Sequence, residues 1–102
     1  MQFQFQNKEL KKLYETGKSR KYKLPEQIID KFIMRIDSII AAETIHDLWQ
    51  NKALNFEKLT NTDIYSMRLN NKYRLEMKIE WENKIQTIGE FFITDISLHY
   101  GD

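Results

Sequence analysis

The sequence predicts an α+β domain with an N-terminal strand and two or three helices packed on one face of a twisted, mainly antiparallel sheet. Three observations predict it. Apolar residues recur at helical spacing through the first half of the chain, they change to two-residue alternation from Ile64 onward, and the two patterns do not interleave. Helices segregated from strands along the chain pack as a layer on an antiparallel sheet. A length of 102 residues supports one core, since either half alone would bury too little surface, so residues 1–102 are read as a single domain.

Phe3 and Phe5 alternate with glutamines, the pattern of a short strand with one buried face. Asn7 is placed to cap a first helix that carries Leu10, Leu13 and Tyr14 on one side and ends near Gly17. Pro25 opens a second helix, where no amide hydrogen is needed, and Ile28, Ile29, Phe32, Ile33, Ile36, Ile39 and Ile40 follow as its apolar stripe. Thr44 is placed to cap a short third helix with Ile45, Leu48 and Trp49 pointing inward, and a loop through Asn55, Phe56, Glu57 and Lys58 leads to the strands.

In the first of these strands Tyr65, Met67 and Leu69 share one face, and Ile64, Ser66 and Arg68 the other. Asn70-Asn71 reads as a tight hairpin turn, because asparagine tolerates positive φ. Tyr73, Leu75, Met77, Ile79 and Trp81 then alternate with Arg74, Glu76, Lys78 and Glu80, giving one buried and one wet face. After a turn at Glu82-Asn83, the last strand has Gly89 as a candidate bulge, with Phe92, Thr94, Ile96, Leu98 and Tyr100 on one face. Asp95, Ser97 and His99 occupy its other face. The sheet face turned from the helices would therefore display Arg68, Arg74, Asp95, Ser97 and His99, and that is the first place to look for function.

Composition narrows the chemistry. There is no cysteine, which excludes a disulfide framework, a thiolate nucleophile and a cysteine zinc site, and nothing in the sequence calls for a metal or cofactor. No apolar run approaches the roughly 20 residues of a membrane span, and Met1-Gln2-Phe3-Gln4-Phe5 lacks the features of a signal peptide. A cytoplasmic location without membrane contact is expected. The net charge of +1 conceals an asymmetry, because Lys8 to Lys23 holds seven basic residues against Glu9 and Glu15. Such a stretch either binds phosphate locally or is a solvated helix face and loop. His46, on the polar side of the third helix, reads as an ordinary surface residue.

Three segments carry a resemblance to a known family. Leu13-Tyr14-Glu15-Thr16-Gly17-Lys18-Ser19-Arg20-Lys21-Tyr22 resembles the exit of the first helix in HigB-type toxins of the RelE/ParE superfamily. Phe56-Glu57-Lys58-Leu59 and the stretch Tyr65-Ser66-Met67-Arg68-Leu69-Asn70-Asn71-Lys72-Tyr73-Arg74-Leu75 resemble that family's Glu-Lys-Leu loop and its arginine-bearing strand pair. Asp95-Ile96-Ser97-Leu98-His99-Tyr100 resembles its closing strand. The strand pair is the specific part, since two arginines flanking an Asn-rich hairpin are uncommon.

The resemblance implies a small RelE-like fold and the toxin of a type II toxin-antitoxin system, an endoribonuclease that cleaves messenger RNA on the ribosome without a metal. It implies a cognate antitoxin, usually a helix-turn-helix, HigA-like protein through which alone operator DNA would be contacted. In metal-free cleavage the ribose 2′-hydroxyl attacks its own phosphate, so the protein moves protons and stabilises phosphate charge. Arg68 and Arg74 suit the phosphate, with pairing to strand carboxylates as the alternative. The family often has a catalytic or phosphate-contacting basic residue at the position of Lys58. His99 titrates near neutrality and Tyr100 can stack or donate a proton, with Asp95 in support. Lys11, Lys12, Lys18, Arg20 and Lys21 are the candidates for RNA or ribosome contact. The chain departs from the family at its end, where Leu98-His99-Tyr100 stands in place of Asp-Tyr-His. That departure keeps two other outcomes open: a ParE-like, non-enzymatic poison of DNA gyrase, and a weakened toxin that mainly binds its antitoxin.

Overall fold

The computed structural model of the chain describes residues 1–98. Strand β1 (Phe3–Phe5) leads into helices α1 (Lys8–Thr16), α2 (Glu26–Ala41) and α3 (Ile45–Gln50), and a 3-10 turn (Lys52–Leu54) joins them to strands β2 (Glu57–Lys58), β3 (Ile64–Arg68), β4 (Tyr73–Trp81) and β5 (Gly89–Leu98). The five strands form one sheet in the order β1-β5-β4-β3-β2. Every pairing is antiparallel except β1 with β5, which is parallel and in register from Phe3↔Phe91 to Phe5↔Ile93. This is the α+β fold that the sequence predicts, with β2 as an additional edge strand in what reads as a loop.

The caps are where the sequence puts them. Asn7 Oδ1 accepts the Leu10 amide at 2.7 Å, and Gly17 closes α1 at a φ of 74°, the left-handed conformation that a β-carbon disfavours. Pro25 immediately precedes α2. Leu10, Leu13, Ile28, Phe32, Ile36 and Ile39 from the helices join Met67, Leu75, Met77, Phe91 and Ile93 from the sheet in one buried cluster. Each such side chain is worth about 1.5–3 kcal/mol on leaving water, which makes this cluster the main stabilising term.

Several sequence expectations are corrected. Ile40 is 50% exposed, and Trp49 is 46% exposed with its ring against Phe56 at 4.5 Å, so only part of the indole turns inward. Asn70-Asn71 makes the turn without positive φ. Asn70 Oδ1 instead accepts the amides of Lys72 and Tyr73 at 2.8 and 2.7 Å, an Asx-turn that reverses the chain with the help of the side chain.

The bulge is not at Gly89. Pairing runs from Glu76↔Asp95 to Met77↔Ile93, which leaves Thr94 as the extra residue in β5. Inward-facing positions are consequently Phe91 and Ile93 before the bulge and Ile96 after it, where unbroken alternation groups Phe92 with Ile96. Gly89 instead permits a close crossing opposite Trp81, because a Cβ there would lie 2.6 Å from Ile79 Cγ2 and 2.9 Å from the Glu80 carbonyl.

Candidate functional site

Strand pitch and register build the site. On the sheet face turned from the helices, Arg68 of β3 lies directly opposite Arg74 of β4, and Arg74 lies opposite Ser97 of β5. The next row, two residues along, reads Glu57, Ser66, Glu76 and Asp95 across β2, β3, β4 and β5. A row of guanidinium groups therefore runs beside a row of carboxylates. A cleft at their junction is lined by Asn55, Glu57, Ser66, Arg68, Asn70, Tyr73 and Arg74.

Arg74 and Arg68 are held differently. Arg74 Nε donates to Glu76 Oε2 at 3.2 Å and to Ser97 Oγ at 3.3 Å, while the Ser97 hydroxyl donates to the same Glu76 oxygen. This half-buried triad fixes the direction of the Arg74 guanidinium. Arg68 is exposed at the strand end, and among the described residues its side chain makes no hydrogen bond or ion pair.

Arg68 is anchored through its backbone instead. Arg35 of α2, only 7% exposed, donates from Nε to the Arg68 carbonyl at 2.9 Å and from Nη2 to the Ala53 carbonyl at 3.2 Å. One buried guanidinium thus ties the end of β3 to the 3-10 turn that leads to Asn55. Burial lowers the Arg35 pKa from its ordinary value, the mark of a cation removed from water. Arg35 falls at helical spacing with Phe32 and Ile39 on the inward stripe of α2, the one signal in the sequence that could have found it, although arginine is rarely interior.

Other candidates lie elsewhere. Lys58 is opposite Tyr65 in the register, with its ammonium 6.0 Å from the Tyr65 ring centroid, and it is Glu57 that lines the cleft. Asp95 is across from Glu76, yet its Oδ1 accepts the Tyr22 hydroxyl at 2.7 Å and the Ile96 amide at 2.9 Å. Its structural role is to moor the segment between α1 and α2 to β5. Burial and then the Asp95 hydrogen bond push the Tyr22 phenol up to about 12. Lys11, Lys12, Lys18, Arg20 and Lys21 are not buried. The Glu9 carboxylate accepts the Ser19 hydroxyl at 2.8 Å and the Arg20 amide at 2.9 Å, bonds that shape the basic segment and lower the Glu9 pKa. His46 is exposed on α3. His99 and Tyr100 lie outside the described residues.

Among the described residues, no group of three or more histidine, cysteine, aspartate or glutamate side chains is placed to hold a metal ion. No helix is long and apolar enough to cross a membrane. The arrangement sets two guanidinium groups beside a row of carboxylates on one face of the sheet.

Comparison with protein families adds an independent finding. A family model described as the HigB-like toxin, the RelE-like toxin of the type II toxin-antitoxin system HigB, matches residues 3–91. That span includes both arginines and Glu57 and stops before Asp95 and His99. Comparison with curated proteins gave no significant match.

Proposed function

We propose that this chain, which belongs to the HigB-like family of RelE-like toxins of type II toxin-antitoxin systems, acts by cleaving messenger RNA on the ribosome. Family membership implies an antitoxin partner; the helix-turn-helix character of that partner, through which operator DNA would be reached, is part of the proposal. The observation that carries the reading is the direct cross-strand pairing of Arg68 with Arg74 over a polar cleft on the sheet face away from the helices.

The chemistry follows from what the cleft holds. Two guanidinium groups clasp the non-bridging oxygens of the scissile phosphate and gain strength as negative charge builds there. The ribose 2′-hydroxyl is the nucleophile, so neither an activated side chain nor a bound hydroxide is required. Arg74 is oriented by Glu76 and Ser97, and Arg68 closes on the phosphate from the neighbouring strand. His99 and Tyr100 serve proton transfer and base contact. Lys58 and the surface residues Lys11, Lys12, Lys18, Arg20 and Lys21 meet ribosomal or messenger phosphates, a salt-sensitive contribution in a cytoplasmic setting.

Induced expression in bacteria tests this. Growth should stop, with cut messages and intact DNA, and an Arg74→Ala chain expressed at the same level should permit growth. DNA breaks with intact messages would replace the reading with gyrase poisoning, and uninterrupted growth with the wild-type chain would reject toxicity altogether.

A further inference from the structure

We propose that Glu57 is the general base that takes the proton from the attacking 2′-hydroxyl, an assignment that rests on the ribonuclease reading above. The edge strand β2 is two residues long, and its register decides which of two adjacent side chains serves the cleft. Glu57 pairs with Ser66, which pairs in turn with Glu76 on the arginine face; Lys58 pairs with Tyr65 and lies against its ring. The carboxylate therefore takes the position beside the arginines that the family resemblance suggests for the lysine.

Of the three carboxylates in that row, two are committed. Glu76 accepts from Arg74 and Ser97, and Asp95 accepts from Tyr22 and the Ile96 amide. Those oxygens are already engaged as acceptors. Glu57 is exposed, and among the described residues its side chain makes no hydrogen bond or ion pair. It also lines the same cleft as Arg68 and Arg74.

Strand order supplies the second argument. Entering and leaving oxygens stand on opposite sides of phosphorus during the displacement, so proton acceptor and proton donor belong on opposite flanks of the phosphate-binding pair. Here β3 and β4, which carry the arginines, lie between β2 and β5. Neighbouring strands are about 4.8 Å apart, which sets Glu57 and the β5 flank roughly 14 Å apart across the sheet, a width that a phosphodiester and two inward-reaching side chains fill. In the step itself the 2′-oxygen forms a bond to phosphorus and the P–O5′ bond breaks. The 2′-proton passes to Glu57, and the leaving 5′-oxygen is protonated by water from the opposite side. The products are a 2′,3′-cyclic phosphate and a 5′-hydroxyl, with no change of oxidation state.

The test is single-turnover cleavage of a defined message on programmed ribosomes across pH, comparing wild type, Glu57→Gln, Glu57→Asp and Arg74→Ala. Glu57→Gln should slow cleavage by about 10²–10⁴-fold, the range for removal of a general base, and should abolish the acid limb of the pH-rate profile without weakening ribosome binding. Glu57→Asp should recover part of the rate. An unchanged rate in Glu57→Gln alongside an inactive Arg74→Ala would overturn the assignment and leave the ribonuclease reading in place. A slowed Glu57→Gln that keeps the acid limb would also overturn it. An uncut message with the wild-type protein would remove both.

Discussion

Arg35→Ala is the substitution whose cost can best be worked from the structure. The side chain is 7% exposed and makes two hydrogen bonds from a charged donor to carbonyls in distant segments, Arg68 at 2.9 Å and Ala53 at 3.2 Å. Bonds of that kind are worth about 1.5–3 kcal/mol each, and the variant also removes a buried side chain from α2. Against this stands the cost of burying a cation, expressed in its lowered pKa, which the variant escapes. The balance is a loss of about 2–4 kcal/mol, a large part of the roughly 5–15 kcal/mol that keeps a domain folded. With a urea slope of about 2 kcal/mol per molar, the unfolding midpoint should fall by roughly 1–2 M, read from the fluorescence of Trp49 and Trp81. Arg35→Lys should lie between the two, because an ammonium cannot span both carbonyls. A midpoint for Arg35→Ala within about 0.3 M of wild type would refute the reasoning, since it would mean that desolvation cancels both bonds.

Two further outcomes follow from other contacts. Tyr22→Phe removes the hydroxyl that donates to Asp95 and should cost about 1–3 kcal/mol near neutral pH. The Tyr22 phenol is raised to about 12 from 10, so folding favours its neutral form. That stabilisation is complete below pH 10 and is lost as pH rises through 12, so the stability gap between wild type and Tyr22→Phe should close over that window in denaturation series; a gap independent of pH would contradict it. Gly89→Ala places a Cβ 2.6 Å from Ile79 Cγ2 and 2.9 Å from the Glu80 carbonyl, and should lower stability by about 1–3 kcal/mol in thermal melts. An unchanged melting temperature would show that this crossing relaxes freely.

The parts of the fold that the sequence reveals are those governed by local periodicity. The apolar stripe of α2 and the alternation of Tyr73 to Trp81 each continue long enough to define an element and its buried face. Asn7, Gly17 and Pro25 mark helix ends because their backbone chemistry suits those positions. What stays hidden depends on distance along the chain or on single residues. The parallel pairing of Phe3–Phe5 with β5 joins opposite ends of the chain, and no short pattern encodes it. Strand β2 is too short to show alternation, so nothing local tells which of Glu57 and Lys58 faces the arginines, and it is the family resemblance that draws attention to Lys58. The bulge at Thr94 falls just after the apolar run Phe91-Phe92-Ile93, where either frame of alternation is plausible.

The candidate site is legible in its central pair for the same reason. Arg68 and Arg74 flank a hairpin turn, so strand alternation alone brings them to one face, and the observed register places them opposite each other. The triad of Arg74, Glu76 and Ser97 needs β5 to be aligned after the bulge, and the Arg35 tether needs a helix side chain to reach a strand carbonyl. Asp95 carries a hydrogen bond to Tyr22, a contact between segments that the sequence provides no reason to join.

The most direct test of the account is to map cleavage of a defined message in purified ribosome complexes with wild type, Arg68→Ala and Arg74→Ala, each shown to be folded by its melting curve. The paired-arginine cleft predicts discrete cuts by the wild-type chain and a loss of at least about 10²-fold in either variant, the usual effect of removing one donor to developing negative charge. Cutting at the wild-type rate by both folded variants would contradict it.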